Sequence, residues 1–473
     1  MNIENLFLMR HELLLIAFAM VVLFLEVSWG TKSKTPIINI SIILFGIITL
    51  IGFVPAETGS LFGGSFVLDN IRIMMKNVLN IGVFIILLQA SYWLRTDDLK
   101  TRISEFVILM ISTLIGMNFM ISSGDFLMFY LGLELATIPI AALAAYDRLR
   151  NRSGEAGIKL ILMSALSSGI LLYGLSMIYG TTGSIYFDEV ATRISGNGLQ
   201  TMAFLFFFAG MGFKIAIVPF HLWTADVYEG APVSVTSYLS VISKGAAIFI
   251  FTIVMFTVFK NLAAIWHNVL YASILLTITV GNLFALRQQN LKRFLAFSSI
   301  SQAGFLLLGV IGGNQMGMAS IVFYVLVYIF SNLAAFGVVG AISNITGKEN
   351  IDDYNGLYHT NPKLSLVMLI GLFSLAGIPP VAGFFGKFFL FMAAAEKGLY
   401  ILVLLAVINT IISLYYYLLV VRAMFLVKSD TAIPHFKNDT TTRISLLLCV
   451  AGIFVLGLAS FFFEYIRELS FGM

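Results

Sequence analysis

Four charged side chains lie deep within long apolar stretches of this 473-residue sequence. Glu134 sits between leucines in one such stretch, and three others contain Lys214, Lys244 and Lys387. A charge at the centre of a bilayer costs about 3 kcal/mol on insertion scales, so such residues normally face a protein interior or a water-filled path. A lysine can release its proton, whereas an arginine stays charged. These four residues are therefore predicted to form a proton relay.

The order of the relay follows from simple electrostatics. Burial disfavours the charged form of a lysine, and a nearby carboxylate favours it. If Glu134 approaches Lys214, it holds that lysine protonated, and its withdrawal sends the proton towards Lys244 and then Lys387. Water between the lysines needs polar neighbours, and the side chains suited to this are Ser240, Ser243, Ser298, Ser299, Ser301 and Gln302.

Each of these residues also has a purely structural explanation. The lysines could be fixed ion pairs or buried anchors, and Glu134 could simply neutralise Lys214 during assembly. Lys159 is a possible link in the relay, but it lies nearer a predicted helix end, where snorkelling to the interface is the alternative. His221 follows Pro219 and is a possible gate at the cytoplasmic entrance, and a hydrogen-bonded histidine at a helix end is the alternative.

Membrane-spanning helices must hold these residues. The chain is 59% hydrophobic and 11% charged, which excludes a water-soluble globular domain. Runs such as Phe204 to Phe208 are apolar on every side, which excludes the alternating pattern of a membrane β-barrel. Each crossing needs roughly 20 apolar residues. About 14 such spans are predicted, at residues 12–29, 36–55, 77–94, 103–122, 125–146, 156–180, 199–223, 233–259, 262–286, 294–313, 318–342, 364–396, 399–427 and 443–463.

Helix-breaking residues interrupt the seventh and twelfth spans. Pro219 follows Lys214, and the segment Gly377 to Gly386 precedes Lys387. Proline removes a backbone donor, and carbonyls freed at membrane depth need water or protein partners. Each broken span is the fourth in a group of five, and an odd group size places the second group upside down. The fold class predicted is an all-α polytopic membrane protein with two inverted five-helix repeats and broken helices 7 and 12.

The repeats define the expected domain boundaries. Residues 1–102 hold three N-terminal helices, 103–260 the first repeat, 261–428 the second repeat, and 429–473 the C-terminal helix. Lysine and arginine concentrate in the connectors that face the cytoplasm if the N-terminus is outside. Both termini are therefore expected on the non-cytoplasmic side of a bacterial inner membrane.

The sequence offers few groups that could bind a redox centre. Cys449 is the single cysteine, so no disulfide forms within the chain. Iron–sulfur clusters need several thiolates, and membrane haems commonly use paired histidines, whereas the five histidines here are scattered. No cofactor and no metal are expected in this chain.

Several sequence blocks resemble a known family. The blocks are Phe213–Trp223, Asp226–Pro232, Ser243–Lys244, Leu295–Gly304 and Ser374–Phe388. Together they resemble the antiporter-like membrane subunits of NADH:quinone oxidoreductase (respiratory complex I), and the string from Val227 to Pro232 is typical of the subunit N branch. The resemblance covers essentially the whole chain. Ala225 departs from the family, which often has proline there, and this bears only on local loop rigidity.

The resemblance implies a non-redox subunit that translocates protons and is coupled to redox chemistry elsewhere in the complex. Its partners would be other antiporter-like and small hydrophobic membrane-arm subunits, and nucleic acid is not expected. The proton-path positions of the family match Glu134, Lys159, Lys214, Lys244 and Lys387. One alternative is a subunit of a multisubunit cation/proton antiporter, which shares the fold. Another is a non-conducting membrane scaffold, in which the buried lysines would tolerate replacement by methionine.

Overall fold

The computed structural model describes residues 6–29, 34–429, 432–459 and 461–472, and most of these residues are helical. Within them, thirteen helices are long and apolar enough to cross a membrane: Phe7–Trp29, Thr35–Gly52, Asn70–Leu94, Ile103–Ile121, Phe126–Ala144, Asn151–Thr182, Gly198–Ile215, Val233–Thr257, Lys260–Ala285, Leu291–Gly312, Gln315–Thr346, Tyr400–Phe425 and Thr440–Leu458. The predicted polytopic helical fold is confirmed.

The α-helices, in chain order, are α1 Arg10–Trp29, α2 Thr35–Gly52, α3 Asn70–Leu94, α4 Ile103–Ile121, α5 Phe126–Leu135, α6 Ile138–Ala144, α7 Asn151–Thr182, α8 Phe187–Arg193, α9 Gly198–Ile215, α10 Leu222–Gly230, α11 Val233–Tyr238, α12 Lys244–Thr257, α13 Ala263–Ala285, α14 Leu291–Gly312, α15 Gln315–Thr346, α16 Leu357–Thr360, α17 Pro362–Ala376, α18 Ala382–Glu396, α19 Tyr400–Phe425, α20 Thr440–Leu458 and α21 Phe461–Leu469. A π-helical turn, Leu239–Ser243, joins α11 to α12. Short 3₁₀ turns lie at Phe7–Met9, Phe62–Gly64, Lys260–Leu262 and Ile351–Tyr354.

A β-hairpin precedes α3, in a segment that the sequence assigns to a polar connector. Strands β1 (Gly59–Leu61) and β2 (Phe66–Leu68) pair antiparallel. Asp69 then caps α3 by accepting a hydrogen bond of 2.8 Å from the backbone N–H of Arg72, the usual way a helix start satisfies a free donor. The helix therefore begins at Asn70 rather than at residue 77, and Lys76 lies inside it.

Two interruptions lie where proline and glycine predict them. One separates α9 from α10 and the other separates α17 from α18. The chain leaves α9 through Ala216 and α17 through Gly377, both with left-handed backbone, at φ values of +66° and +87°. Because α17 and α18 are each too short to cross a membrane alone, thirteen rather than fourteen helices in the described chain have the length of a span.

Two further interruptions are absent from the sequence prediction. The predicted fifth span is divided into α5 and α6 around Ala136 and Thr137, with Pro139 in the first turn of α6. The predicted eighth span contains the π-helical turn directly before Lys244. A π turn displaces backbone groups from their regular partners and is frequent at functional sites. Glu134, Lys214 and Lys244 each lie beside an interruption.

Three helices form the centre of the bundle. The most apolar windows of Val233–Thr257 and Leu291–Gly312 are entirely buried, and that of Gln315–Thr346 is 94% buried. The corresponding window of Asn151–Thr182 is only 28% buried. Polar side chains on the central helices therefore face protein rather than lipid.

The two halves of the predicted twelfth span meet at Gly383. A Cβ atom at this position would lie 1.7 Å from the carbonyl oxygen of Ser374, and a backbone oxygen cannot swing aside. We expect Gly383→Ala to lower the free energy of unfolding by about 1–3 kcal/mol through overpacking, measured as a lower midpoint of thermal unfolding. Gly169→Ala is the matched control, because no atom lies within 4 Å of its added Cβ. Equal stability of the two variants would contradict the packing described.

Candidate functional site

Lys244 opens α12 immediately after the π-helical turn, and the residue is 2% exposed. Its ammonium donates to the hydroxyl and the backbone carbonyl of Ser299 on α14, at 2.6 and 2.9 Å. Neutral groups thus supply its hydrogen-bond partners, and in the described chain no carboxylate is paired with it. An amine held in this way can lose its proton without leaving a buried carboxylate unpaired.

Lys387 on α18 has a similar environment and is also 2% exposed. Its ammonium donates to the carbonyl oxygen of Ala376, the last residue of α17, at 3.1 Å. It also lies over the ring of Phe305, 4.7 Å from the centroid, where the face of the ring attracts a cation. The carbonyls at a helix end have no partner within the helix, so the break supplies the group that holds the lysine.

Lys214, in the last turn of α9, is linked to the interruption between α5 and α6. Its ammonium donates to the hydroxyl of Thr137 at 2.7 Å. Glu134 lies one turn before Thr137, and its buried Oε1 atom has no hydrogen-bond partner among the described residues. The carboxylate of Glu134 acts on Lys214 electrostatically, but no ion pair joins the two in the described chain. The Thr137 hydroxyl accepts the hydrogen bond of Lys214 instead. The sequence prediction missed this residue.

A row of polar groups runs between the two central lysines. Ser299, which contacts Lys244, and Gln302 lie one turn apart on α14. The side-chain amide of Gln302 donates to the carbonyl of Leu375 at 3.2 Å. The next carbonyl in the chain, that of Ala376, is the one that Lys387 contacts. Polar atoms thus extend from one lysine to the neighbourhood of the other through α14 and the end of α17.

Tyrosines line this row and are further residues that the sequence prediction missed. Tyr324 on α15 donates to Oε1 of Gln302 at 2.5 Å. Tyr417 on α19 lies 3.3 Å from the amide nitrogen of Gln302 and 2.5 Å from the hydroxyl of Ser298. The hydroxyl of Tyr328 is buried without a hydrogen-bond partner that the described residues supply. A tyrosine deep within a predicted span is the signal that could have identified them.

The six polar residues predicted to hold water are all buried, as expected for an internal path: Ser240, Ser243, Ser298, Ser299, Ser301 and Gln302. Ser240 accepts a hydrogen bond of 2.7 Å from Asn332. The Ser301 hydroxyl has no partner in the described chain. Their role in holding water stays a prediction.

Lys159 lies in a different environment from the buried lysines. Its side chain is 40% exposed and forms ion pairs with Glu155 at 2.7 Å and Asp226 at 2.8 Å. Arg293 reaches the same Asp226 at 2.7 Å, and Glu229 at 3.1 Å. This ion-pair network ties α7, α10 and α14 together at one face of the bundle. A linking role for Lys159 remains a prediction.

His221 lies in the interruption between α9 and α10. The residue is 8% exposed, and its Nδ1 atom is buried without a hydrogen-bond partner among the described residues. A buried ring nitrogen without a protein partner is compatible with contact to water. The gating role stays a prediction.

The sequence prediction missed a buried ion pair in the N-terminal helices. Lys76 on α3 and Glu12 on α1 are 2.5 Å apart, and both side chains are 0% exposed. Next to them, His11 and Asn77 share a hydrogen bond of 2.9 Å. The predicted third span begins at residue 77, which leaves Lys76 in a connector, and Glu12 is the first residue of the first predicted span.

The described residues hold no group of three or more histidine, cysteine, aspartate or glutamate side chains arranged to hold a metal ion. Cys449, the free cysteine, is buried in α20. The chemistry supported by the groups described above is proton exchange among amines, carboxylates and hydroxyls.

Comparison with known proteins gives a consistent assignment. Residues 123–413 match the family described as NADH:quinone oxidoreductase/Mrp antiporter, TM. NADH-quinone oxidoreductase subunit N of Azobacteroides pseudotrichonymphae is 50% identical over 100% of this chain and 99% of the relative. The subunit N of Phocaeicola vulgatus is also 50% identical, over 99% of this chain and 100% of the relative.

Solved structures share the fold. A chain of respiratory complex I from Thermus thermophilus with bound aureothin has a TM-score of 0.79 and 27% identity, covering 98% of this chain and 100% of that one. A chain of the Mrp complex from a Dietzia species has a TM-score of 0.86 at 22% identity, covering 99% of this chain and 96% of that one. At this identity the second likeness concerns the fold alone.

The ion-pair network predicts unequal effects of its members on stability. Asp226→Ala removes the acceptor that Lys159 and Arg293 share, and because the Asp226 side chain is 36% exposed we expect it to lower the free energy of unfolding by about 1 kcal/mol. Lys159→Met removes one partly exposed partner and should change it by less than about 1 kcal/mol. Thermal unfolding of the two variants measures the difference. A larger loss for Lys159→Met would show that the lysine does more than pair at the surface.

Proposed function

This chain belongs to the NADH:quinone oxidoreductase/Mrp antiporter family, within its NADH-quinone oxidoreductase subunit N branch, and we propose that it translocates protons through Lys214, Lys244 and Lys387. The resemblance inferred from the sequence blocks is thereby confirmed. The chain is an antiporter-like membrane subunit of complex I. In the proposal, redox chemistry in other subunits supplies the energy, and this chain contributes no redox centre.

One observation supports the relay above the others. Lys244 and Lys387 are buried amines solvated by neutral groups, and Ser299, Gln302 and the carbonyl of Leu375 extend between them. A static anchor would favour a paired carboxylate, because an unpaired buried charge is costly. Proton exchange with water along the polar row explains why these buried amines have neutral polar partners rather than carboxylates.

Glu134 is proposed as the element that controls Lys214. Its free carboxylate oxygen and the Thr137 hydroxyl compete for the same ammonium. A side-chain rotation of Glu134 towards Lys214 would stabilise the charged lysine, and rotation away would favour release of its proton. Lys214 donates to Thr137 in this structure and forms no ion pair with Glu134 among the described residues.

The setting of the relay is also part of the proposal. The positive-inside pattern supports a bacterial inner membrane with both termini on the non-cytoplasmic side. In this orientation the ion-pair network of Lys159 lies at the cytoplasmic face. The two interruptions at corresponding positions support division of residues 103–260 and 261–428 into inverted repeats. Neighbouring membrane-arm subunits are the proposed partners.

A cation/proton antiporter is the second candidate function. The TM-score of 0.86 to the Mrp complex chain favours it at the level of fold. The full-length relatives at 50% identity are NADH-quinone oxidoreductase subunits, which favours the redox-coupled role. The two functions differ in whether sodium on the opposite side of the membrane alters NADH-driven proton movement.

Replacement of the central lysines tests the proposed relay. Lys214→Met and Lys244→Met should each lower NADH-driven acidification of vesicles by about tenfold or more, because a positioned proton carrier contributes at least that factor. The assay uses the whole NADH:quinone oxidoreductase reconstituted in lipid vesicles. NADH oxidation with the redox centres alone, measured with an artificial electron acceptor, should remain.

Lys260→Met is the matched control, because Lys260 is exposed and the variant removes the same charge outside the relay. It should pump at the wild-type rate. Wild-type acidification by both Lys214→Met and Lys244→Met would contradict the proposal and support the scaffold alternative.

A further inference from the structure

The buried ion pair of Glu12 and Lys76 lies among other charged and titratable groups. Both side chains are 0% exposed, and their charged atoms are 2.5 Å apart. The ring of Phe66 lies 5.1 Å from the ammonium. The other charged or titratable groups that interact with the pair are His11 on α1, and Asp69 and Arg72 at the start of α3, while Arg10 acts on His11.

Several buried polar atoms on α1, α3 and α4 have no hydrogen-bond partner among the described residues. The second carboxylate oxygen of Glu12, Oε2, is buried without a hydrogen bond from the described residues. Asn80 lies one turn beyond Lys76 on α3 and Asn118 lies on α4, and both are at most 1% exposed with neither amide atom paired in the described chain. Buried amides are nearly always hydrogen-bonded to protein or to ordered water. Internal water is the partner that fits these four amide atoms.

The surface is close on one side of the pair. Arg10, two residues before Glu12, donates to the carbonyls of Gly52 at 3.0 Å and Val54 at 2.8 Å, and the bond to Val54 is exposed. The β-hairpin lies in the same connector, between α2 and α3. We call this side of the bundle the hairpin face. A proton on Glu12 has only about one helical turn to cross to reach it.

The central relay is close on the other side. A Cβ at Gly82 of α3 would lie 2.3 Å from the side chain of Ile242 in the π-helical turn. A Cβ at Gly245 would lie 3.6 Å from the side chain of Met75, the neighbour of Lys76. Helix α3 therefore packs directly on the segment that carries Lys244, with Asn80 between these two contact levels.

We propose that Glu12 and Lys76 form a proton-exchange site that connects the Lys244 region with the hairpin face through water bound at Asn80 and Asn118. The inference rests on the proposed function and adds a path that lies outside the four-residue relay. It assigns a function to the N-terminal helices.

The transfer needs no other reactant than water. Lys76 passes one proton along the 2.5 Å hydrogen bond to Oε1 of Glu12, which leaves a neutral amine and a neutral carboxylic acid. The acid releases the proton to water at the hairpin face, and the amine takes another from water beside Asn80. The ion pair is then restored, and one proton has moved with no change in total charge.

Removal of both charges separates this function from a structural one. Replacement of both members removes both buried charges, whereas a single replacement leaves one charge unpaired and is strongly destabilising. The double variant Glu12→Gln/Lys76→Met should therefore assemble. We expect its NADH-driven vesicle acidification to fall by the same factor as that of Lys244→Met. The ion pair of Glu26 and Lys34 at the other end of α1 is partly exposed, and the double variant Glu26→Gln/Lys34→Met is the matched control, expected to pump normally.

The outcomes distinguish this inference from the proposed function. If Lys244→Met stops acidification and the Glu12/Lys76 double variant retains the wild-type rate, the inference is wrong and the central relay stands. If Lys244→Met and Lys214→Met both acidify normally, the relay fails and this path fails with it.

A second variant covers the case in which the charge-free pair fails to assemble. Asn80→Leu/Asn118→Leu removes the amides that bind water and keeps the ion pair. It should lower acidification at least twofold, about 0.4 kcal/mol at RT of about 0.59 kcal/mol, with the complex intact. An intact complex with the wild-type rate would overturn the inference.

Discussion

Solvation of buried amines is the constraint on which the rest of this structure depends. An ammonium in hydrocarbon needs several kcal/mol of compensation, and a regular helix offers none because its carbonyls are already hydrogen-bonded. The chain resolves this conflict by interrupting helices beside the charged residues. Lys387 uses a carbonyl freed at the end of α17, Lys214 uses the hydroxyl of Thr137 in the interruption after α5, and Lys244 follows a π-helical turn.

These interruptions free backbone polar groups, so they are tolerated only where other helices shield those groups from lipid. Val233–Thr257 and Leu291–Gly312 are fully buried in their most apolar windows, so the groups that leave the regular helical pattern face protein rather than lipid. Glycine at the crossing lets the two halves pack closely, because a Cβ at Gly383 would lie 1.7 Å from the carbonyl oxygen of Ser374. The polar row between Lys244 and Lys387 lies within the same buried region. Packing and the proposed proton path thus depend on the same central helices.

The sequence predicts those features that have a strong local signal. Long apolar runs identify the spans, and Pro219 and the Pro379–Pro380 pair identify two interruptions. A lysine within an apolar run identifies Lys214, Lys244 and Lys387. Features that depend on tertiary contacts are missed: the π-helical turn has no proline or glycine, and Thr137 gains its role from α9 packing beside it. Lys76 is missed for a different reason, because a hairpin of polar appearance masks the true start of α3.

We propose that water and polar side chains connect the buried amines into one path. A high-resolution cryo-EM map of the whole complex in lipid tests it most directly, at the site between Ser299, Gln302 and Lys387. We predict ordered water molecules within hydrogen-bond distance of one another and of the ammonium groups of Lys244 and Lys387. A dry, tightly packed apolar gap between Lys244 and Lys387 would contradict it.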